Sequence, residues 1–217
     1  MILYKYRSLE NLEYIADILV HERLFCTPYY QLNDPFEGLF LLTTRFPGTG
    51  SLRPSTVTSV TDADYLIEPD DYVDIRVCSL SSSCEDVRLW SLYAGGHRGV
   101  AVEIDVEGME EKFHKVDYRK TLMKHDDPRF VGPGIHQVLS VKTVQWEYES
   151  EYRIISLDKY FDIKNRIRRV ILGARCRADD EGVLRRLLPD GVDLVKAHLN
   201  EELVRIDVPK SQQSPHA

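Results

Sequence analysis

Three glutamates crowd a short acidic segment that immediately precedes an apolar run. The segment Trp146–Ser156 reads Trp-Glu-Tyr-Glu-Ser-Glu-Tyr-Arg-Ile-Ile-Ser. If Tyr152–Leu157 is extended, side chains alternate between faces, so Glu149, Glu151, Arg153 and Ile155 share one face. Carboxylates held close together raise each other's pKa unless a cation, a proton or a substrate balances them. The segment therefore predicts either an active site containing Glu149 and Glu151 or a self-neutralised edge with Arg153 as their partner.

A second acidic segment, Gln31–Gly38, reads Gln-Leu-Asn-Asp-Pro-Phe-Glu-Gly. Asn and Asp before proline favour a turn, because the residue before proline is pushed out of the helical region. One interpretation is a tight turn with Phe36 buried. The other is that Asp34 and Glu37 are metal ligands, since hard cations prefer oxygen donors.

The elements that position these groups are predicted to include two strands and a helix. Strand Ile2–Arg7 places Lys5 and Arg7 on one face, and strand Tyr72–Ser81 places Ser79 and Ser81 together. A helix follows, and it ends at two glycines, as helices commonly do. Its apolar face carries Val87, Trp90, Tyr93 and Ala94. Phe113–Tyr118 is predicted to be a strand and Ile135–Lys142 a short helix.

The order of elements predicts a single α+β domain over residues 1–208. Strand candidates outnumber helices and do not alternate regularly with them, which favours a mixed, largely antiparallel sheet, split around a cleft, with flanking helices. Residues 45–63 are rich in Gly, Pro, Ser and Thr and predict a mobile loop. Residues 209–217 predict a disordered tail.

Composition limits the classes of function. The 217 residues carry a formal net charge of −7, which argues against non-specific wrapping of a long duplex. Many basic residues nevertheless cluster between Lys164 and Arg186, where a polyanion-binding face and a solvated surface are both possible. The amino terminus turns polar too early for a signal peptide, no apolar run would span a bilayer, and the four cysteines form no Cys-x-x-Cys pair. We expect a cytoplasmic protein with reduced cysteines.

Several short motifs in order resemble the prokaryotic domain-of-unknown-function family two-nine-seven-one. The resemblance runs from about Leu3 to Val208, and that family name implies no activity. The motifs are Tyr4-Lys-Tyr-Arg, Leu32-Asn-Asp-Pro-Phe-Glu, Cys78-Ser-Leu-Ser, Trp90-Ser-Leu-Tyr, His97-Arg-Gly-Val, Trp146-Glu-Tyr-Glu-Ser-Glu-Tyr-Arg and Val170-Ile-Leu-Gly.

A more distant resemblance is to ADP-ribosyltransferases of the toxin and DNA-modifying kinds. These enzymes carry a basic residue on the first strand, a serine or aromatic position on a central strand or following helix, and a later Glu-x-Glu pair. Lys5 or Arg7 takes the first position. Ser79 with Tyr93 takes the second, and Glu149-x-Glu151 the third. The resemblance implies that these residues line one cleft of an ADP-ribosyltransferase-like fold.

That resemblance implies NAD as the substrate. Cleavage of the nicotinamide–ribose bond passes through an oxocarbenium-like state, which a nearby carboxylate stabilises, and Glu151 would serve there. Glu149 would orient or deprotonate the acceptor, a first-strand cation would hold the pyrophosphate, and Tyr93 or Trp90 would stack on nicotinamide. The chain contains no Gly-x-Gly-x-x-Gly, so NAD is not expected to bind in the Rossmann manner.

Three functions therefore stand as hypotheses. The first is an NAD-dependent transferase or glycohydrolase, such as a toxin or phage-defence factor, acting on nucleic acid or protein. The second is a metal-dependent nuclease that uses Asp34, Glu37, Glu149 and Glu151. The third is a non-catalytic binding module.

Overall fold

The computed structural model describes residues 1–42, 54–59, 65–69, 74–125, 134–200 and 205–209. These residues form eighteen strands: β1 (Ile2–Arg7), β2 (Arg23–Phe25), β3 (Thr27–Pro28), β4 (Phe40–Leu42), β5 (Pro54–Ser59), β6 (Tyr65–Pro69), β7 (Arg76–Ser81), β8 (Val100–Asp105), β9 (His114–Lys115), β10 (Asp117–Arg119), β11 (Lys124–His125), β12 (Val141–Thr143), β13 (Glu151–Ser156), β14 (Tyr160–Asp162), β15 (Ile167–Leu172), β16 (Asp193–Lys196), β17 (His198–Asn200) and β18 (Arg205–Asp207). The described helices are α1 (Leu12–Leu19), α2 (Val87–Tyr93), α3 (Ile135–Val138) and α4 (Ala178–Leu187).

The first of two compact units comprises Met1–Phe25, Leu80–Glu110 and Tyr160–Ala217. Its sheet places β8 between β1 and β15, both antiparallel to it, and β16 joins β15 in parallel. The first five residues of β8 are all buried, as expected for an apolar strand with a neighbour on each side. Helix α1 packs against β2. It begins after Asn11, whose side-chain oxygen accepts a hydrogen bond from the backbone N–H of Glu13 at 3.0 Å.

The second unit comprises Cys26–Ser79 and Glu111–Lys159. Here β3 pairs with β7 and β9 pairs with β13, both in antiparallel fashion, and β13 lies next to β7. Strands β4, β5 and β6 form an antiparallel group, to which β11 adds in parallel, while β10 and β12 form a parallel pair. Tyr29, Val77 and Leu139 form a buried apolar cluster beside β7. This core fixes the strands that carry the acidic segments.

The fold is mixed α+β, with a largely antiparallel open sheet and a few helices, as the sequence predicted. The finer expectation of an ADP-ribosyltransferase-like arrangement around a cleft stays a prediction. Among the described helices, none combines the length and the apolar character that crossing a membrane would require.

Several local predictions need correction. The predicted loop at residues 45–63 contains the strand Pro54–Ser59, and its other residues lie outside the described part of the chain. The predicted helix Ile135–Lys142 is helical only as far as Val138 and continues as β12. The predicted strand Phe113–Tyr118 is two short strands, β9 and β10. Most of the predicted disordered tail, residues 210–217, also lies outside the described residues.

Candidate functional site

The acidic segment folds as two elements joined at one left-handed residue. Residues Val144–Glu149 form a 3-10 helix, and β13 begins at Glu151. Ser150 between them has a φ of 46°, a conformation that costs free energy in a residue with a Cβ. Strand β13 thus agrees to within one residue at each end with the predicted strand Tyr152–Leu157, whereas Glu149 lies on the 3-10 helix and outside the strand. Both glutamates are nevertheless buried, with 5% of Glu149 and 3% of Glu151 exposed.

Lys142, on β12, brings three carboxylates together. Its Nζ lies 2.6 Å from Glu149 Oε2, 3.4 Å from Glu151 Oε2 and 3.3 Å from Glu37 Oε1. Burial lowers the pKa of this ammonium, but the three glutamates raise it by more, so that the net shift is upward. Lys142 is thus a buried cation held in place by its acidic neighbours.

Arg153 supplies the second cation and is completely buried. Its Nε donates to Glu151 Oε1 at 2.8 Å, and its Nη2 donates to Glu151 Oε2 at 2.9 Å and to Glu37 Oε1 at 2.7 Å. Its Nη1 donates to the Leu139 carbonyl at 2.7 Å. Such two-pronged pairing is geometrically specific. The predicted pairing of Arg153 with an acidic neighbour is confirmed for Glu151.

We call Glu37, Lys142, Glu149, Glu151 and Arg153 the carboxylate cluster. Three carboxylates and two cations leave one negative charge in excess if every group is ionised. A buried charge without a balancing partner is costly, so one proton or one further cation is expected to reside in the cluster or to enter it.

The pKa values of Glu37 and Glu151 indicate which of the two carboxyl groups would hold that proton. Burial raises the pKa of Glu151, but Arg153 and Lys142 more than offset this and hold its pKa at about 2. Burial raises the pKa of Glu37, and there Arg153 and Lys142 offset it only in part. Glu37 Oε2 is buried without a hydrogen-bond partner in the described part of the chain. Glu37 therefore takes up a proton at higher pH than Glu151 does.

The turn at Asp34 anchors the acidic segments to β12. Asp34 Oδ2 accepts from the backbone N–H of Thr143 at 3.1 Å and from its hydroxyl at 2.9 Å. Asn33 Oδ1 accepts from Lys142 Nζ at 3.2 Å. The expectation of a buried Phe36 is wrong, because 51% of that residue is exposed. The polar side chains, rather than Phe36, fix the turn.

Two further groups hold Glu151. The Ser79 hydroxyl donates a hydrogen bond to its carboxylate, which lowers the pKa of that carboxyl further. The Tyr118 hydroxyl accepts from the backbone N–H of Glu151 at 2.8 Å. Ser79 and Glu151, which the sequence assigned to one site from positions far apart in the chain, are therefore in contact.

A cavity of about 460 Å³, which we call the Trp146 cavity, meets the carboxylate cluster at one residue. Its wall includes Lys142 of the cluster, the aromatic residues Trp146 and Phe36, and the exposed cations Arg119 and Lys120. Lys142 Nζ lies 4.7 Å from the centroid of the Trp146 ring. Flat rings and cations in one cavity suit a ligand with a planar ring and a negative charge.

The other predicted site residues belong to the first unit. Lys5 and Ser81 are buried, and Arg7 lies 5.7 Å from the centroid of the Tyr14 ring. Trp90 is fully buried, and its indole Nε1 donates to the Cys84 carbonyl at 2.8 Å.

The proposed ligand contacts of the first unit stay predictions. They are the contact of Lys5 or Arg7 with pyrophosphate, and the stacking of Trp90 or Tyr93 on nicotinamide. Stacking of Trp90 on nicotinamide would require the packing around Trp90 to open, because its ring packs edge-on against Tyr6.

Sequence reasoning missed Lys142 and Tyr118. Lys142 fell in a segment predicted as helix, and β12 is only three residues long, too short for alternation to mark a strand. Glu37 was singled out, but as a metal ligand. No three His, Cys, Asp or Glu side chains within the described ranges form a group that could hold a metal ion. Lys142 and Arg153 instead occupy the space between the carboxylates.

Comparison of the chain with protein-family models, with curated proteins and with solved structures found no match in any of the three. The resemblances described above therefore rest on the motifs of this sequence.

Proposed function

We propose that the chain is an NAD-dependent ADP-ribosyltransferase or NAD glycohydrolase whose reaction centre is the carboxylate cluster of the second unit. The observation that carries the proposal is the hydrogen bond from the Ser79 hydroxyl to the Glu151 carboxylate. Lys142, whose Nζ lies 3.4 Å from Glu151 Oε2, connects this pair to the Trp146 cavity. These are the residue types that the resemblance to ADP-ribosyltransferases assigns to NAD cleavage.

The Trp146 cavity accounts for binding of a nucleotide. Its cations Arg119, Lys120 and Lys142 match a diphosphate, and the Trp146 ring matches a base or a nicotinamide. Its volume lies within the range of ordinary small-molecule sites, about 300–1,000 Å³.

Lys142 connects binding to chemistry. A phosphate at the cavity wall competes with Glu149 and Glu151 for the Lys142 ammonium, because all are anions within its reach. Withdrawal of Lys142 leaves the negative charge of the two glutamates less compensated. That charge stabilises the positive charge that develops on the ribose.

The reaction follows from these roles. The bond between ribose C1′ and the nicotinamide nitrogen breaks, and its electron pair leaves with nicotinamide. The acceptor, water or a macromolecule, forms the new bond to C1′ and gives its proton to Glu149. Glu151, with a pKa of about 2, stays ionised throughout.

The test is consumption of labelled NAD by the purified chain, with and without cell lysate. Nicotinamide release and transfer of label to a macromolecule are expected from the wild type, and both should fall about a hundredfold or more in Glu151→Gln. The matched control is Glu103→Gln, which alters another buried glutamate bound to an arginine, in the first unit. NAD binding without turnover would make the chain a binding module, and unchanged turnover by Glu151→Gln would refute the proposed role.

A further inference from the structure

A strongly basic stretch crosses the surface of the second unit. Within residues 112–124, five residues are basic and one, Asp117, is acidic, in a chain whose net charge is −7. All five basic residues are exposed. We call this surface the basic patch: Lys112, Lys115, Arg119, Lys120 and Lys124.

Two cavities connect the basic patch to the candidate site. The first, of about 480 Å³, is lined by Lys115, Lys124 and Arg119. The second is the Trp146 cavity, which Arg119 lines as well, together with Lys120. Since Arg119 borders both, cations follow one another from the first cavity to the wall of the second. Such a series can track a chain of phosphates.

Aromatic side chains lie at the end of this series. Trp146 and Tyr148 are half-buried, and their ring centroids are 6.1 Å apart at an interplanar angle of 35°. Phe36, on the same cavity, is half exposed. Aromatic rings next to cations favour unpaired bases, which stack on such rings whatever their sequence. A duplex hides its base faces and would not use them.

A second basic cluster lies in the first unit. Arg168 pairs with Asp105 at 2.7 Å, Arg185 with Glu181 at 2.7 Å and Arg177 with Asp179 at 3.3 Å. In the basic patch, Arg119 likewise pairs with Asp117, at 2.6 Å. Since both clusters are basic and contain paired arginines, the second cluster is a matched comparison for the basic patch.

We propose that the basic patch and the Trp146 cavity together bind single-stranded nucleic acid, with phosphates on Lys115, Arg119, Lys120 and Lys124 and a base on Trp146. Because the Trp146 cavity is also the proposed NAD site, nucleic acid bound there would compete with NAD, and the inference therefore gives nucleic acid a binding role and not the role of acceptor. The binding itself does not depend on NAD.

The experiment measures binding of fluorescent oligonucleotides of about twelve nucleotides, a length within the range of single-strand site sizes, without NAD. Oligothymidylate and oligouridylate distinguish DNA from RNA, while a duplex and heparin distinguish bases from charge alone. Single strands are expected to bind more tightly than either. Three to four phosphate contacts predict a slope of about −2 to −3 in a plot of log K against log salt concentration.

Substitutions in each cluster test which surface binds the nucleic acid. Together, Lys115→Glu, Lys120→Glu and Lys124→Glu should weaken binding by more than tenfold and flatten the salt slope. Trp146→Ala should weaken binding of single strands roughly tenfold and leave heparin binding unchanged. The control combines Arg177→Glu, Arg185→Glu and Arg186→Glu, an equal change of charge in the first unit, and should alter affinity less than about twofold. Melting temperatures of all variants show whether they fold.

Two results would overturn the inference. Equal losses in both triple variants would mean that overall charge, and not the basic patch, governs binding. Heparin binding as tight as that of oligothymidylate, with no effect of Trp146→Ala, would mean that bases are not recognised. If single strands bind as expected but no NAD is cleaved, the inference on binding stands and the proposed function fails.

Discussion

The two units each bury an acid–base contact, and the two contacts are built differently. In the first unit, Arg169 on β15 lies opposite Glu103 on β8, and its Nε donates to Glu103 Oε2 at 2.7 Å. One cation thus meets one anion across neighbouring strands. In the second unit, three carboxylates share two cations that come from β12 and β13.

The two contacts differ in charge balance: the Glu103–Arg169 pair is electrically neutral, whereas the carboxylate cluster is not. The Glu103–Arg169 pair has equal and opposite charges, and its remaining groups have partners: Arg169 donates to the Pro209 carbonyl, and the Tyr4 hydroxyl hydrogen-bonds with both side chains. The carboxylate cluster has one anion in excess and a glutamate oxygen without a partner within the described residues. Binding of a proton or a cation stabilises such a site. The cluster is therefore the better candidate for chemistry, and the Glu103–Arg169 pair is its natural control.

The largest effect is expected from Arg153→Met. This change removes a fully buried cation and leaves Glu151 and Glu37 without their main partner, which costs about 3–5 kcal/mol of unfolding free energy. Urea unfolding at neutral pH measures it. Arg169→Met should cost less, because it removes the cation from one carboxylate, Glu103, whereas Arg153→Met removes a cation that two carboxylates share. An equal loss in the two variants would show that the two contacts do not differ in the way described.

The sequence predicted the fold class because apolar alternation and glycine stops are local signals. Helix α2 was predicted from its apolar positions and from the glycines at its end, and it spans Val87–Tyr93. Its predicted apolar face is wrong at Val87, which is 45% exposed, while Leu89 is buried instead. Short strands were harder to predict from the sequence. Strands β9, β10 and β12 have only two or three residues each, so pairing across the sheet, and not their own pattern, determines them.

The candidate site was predictable only where its residues lie close together in sequence. Glu149, Glu151 and Arg153 occupy one segment, and their proximity could be read directly. Lys142 and Glu37 come from other segments, and no local spacing links them to Glu151. Their convergence depends on how β12 and the Asp34 turn dock, which is a property of tertiary packing.

Substitution of Glu151 and substitution of Glu149 should affect the two NAD reactions differently. Glu151→Gln should reduce both NAD hydrolysis and transfer about a hundredfold or more, since it removes the charge opposite the ribose. Glu149→Gln should suppress transfer more than hydrolysis, because water needs less positioning than a macromolecular acceptor. Nicotinamide release and label incorporation measure the two reactions, with Glu103→Gln as control. Because loss of either glutamate also unpairs a cation, only variants with a normal melting temperature are informative.

The stability of the second unit should depend on pH in two opposite directions. The folded-state pKa of Glu37 lies above its ordinary value of 4.5, so its contribution is present below pH 4.5 and is lost as the pH rises to that folded value. The pKa of Glu151 lies near 2, so its contribution is present above pH 4.5 and is lost as the pH falls towards 2. Glu37→Gln should remove the first dependence and keep the second.

Urea unfolding free energies of the wild type and Glu37→Gln, measured from pH 3 to about pH 8, test this expectation. The difference between the two proteins should change with pH only above 4.5. Glu103→Gln is again the control. A difference between wild type and Glu37→Gln that is constant over the whole range would contradict the assignment of the raised pKa to Glu37.

The smallest effect is expected from Tyr118→Phe, which tests how Glu151 is positioned. The Tyr118 hydroxyl accepts from the Glu151 N–H, while the Tyr6 hydroxyl in the first unit donates to the Ser83 carbonyl at 2.9 Å. Each Tyr→Phe change removes one partner of a backbone group and should lower the unfolding free energy by about 1 kcal/mol. Only Tyr118→Phe touches the carboxylate cluster, so only it should lower the rate of NAD cleavage, by roughly tenfold if the Glu151 backbone shifts. Equal stability losses with unequal activity losses would assign a positioning role to Tyr118, whereas unchanged activity in both variants would show that β13 holds Glu151 without that hydrogen bond.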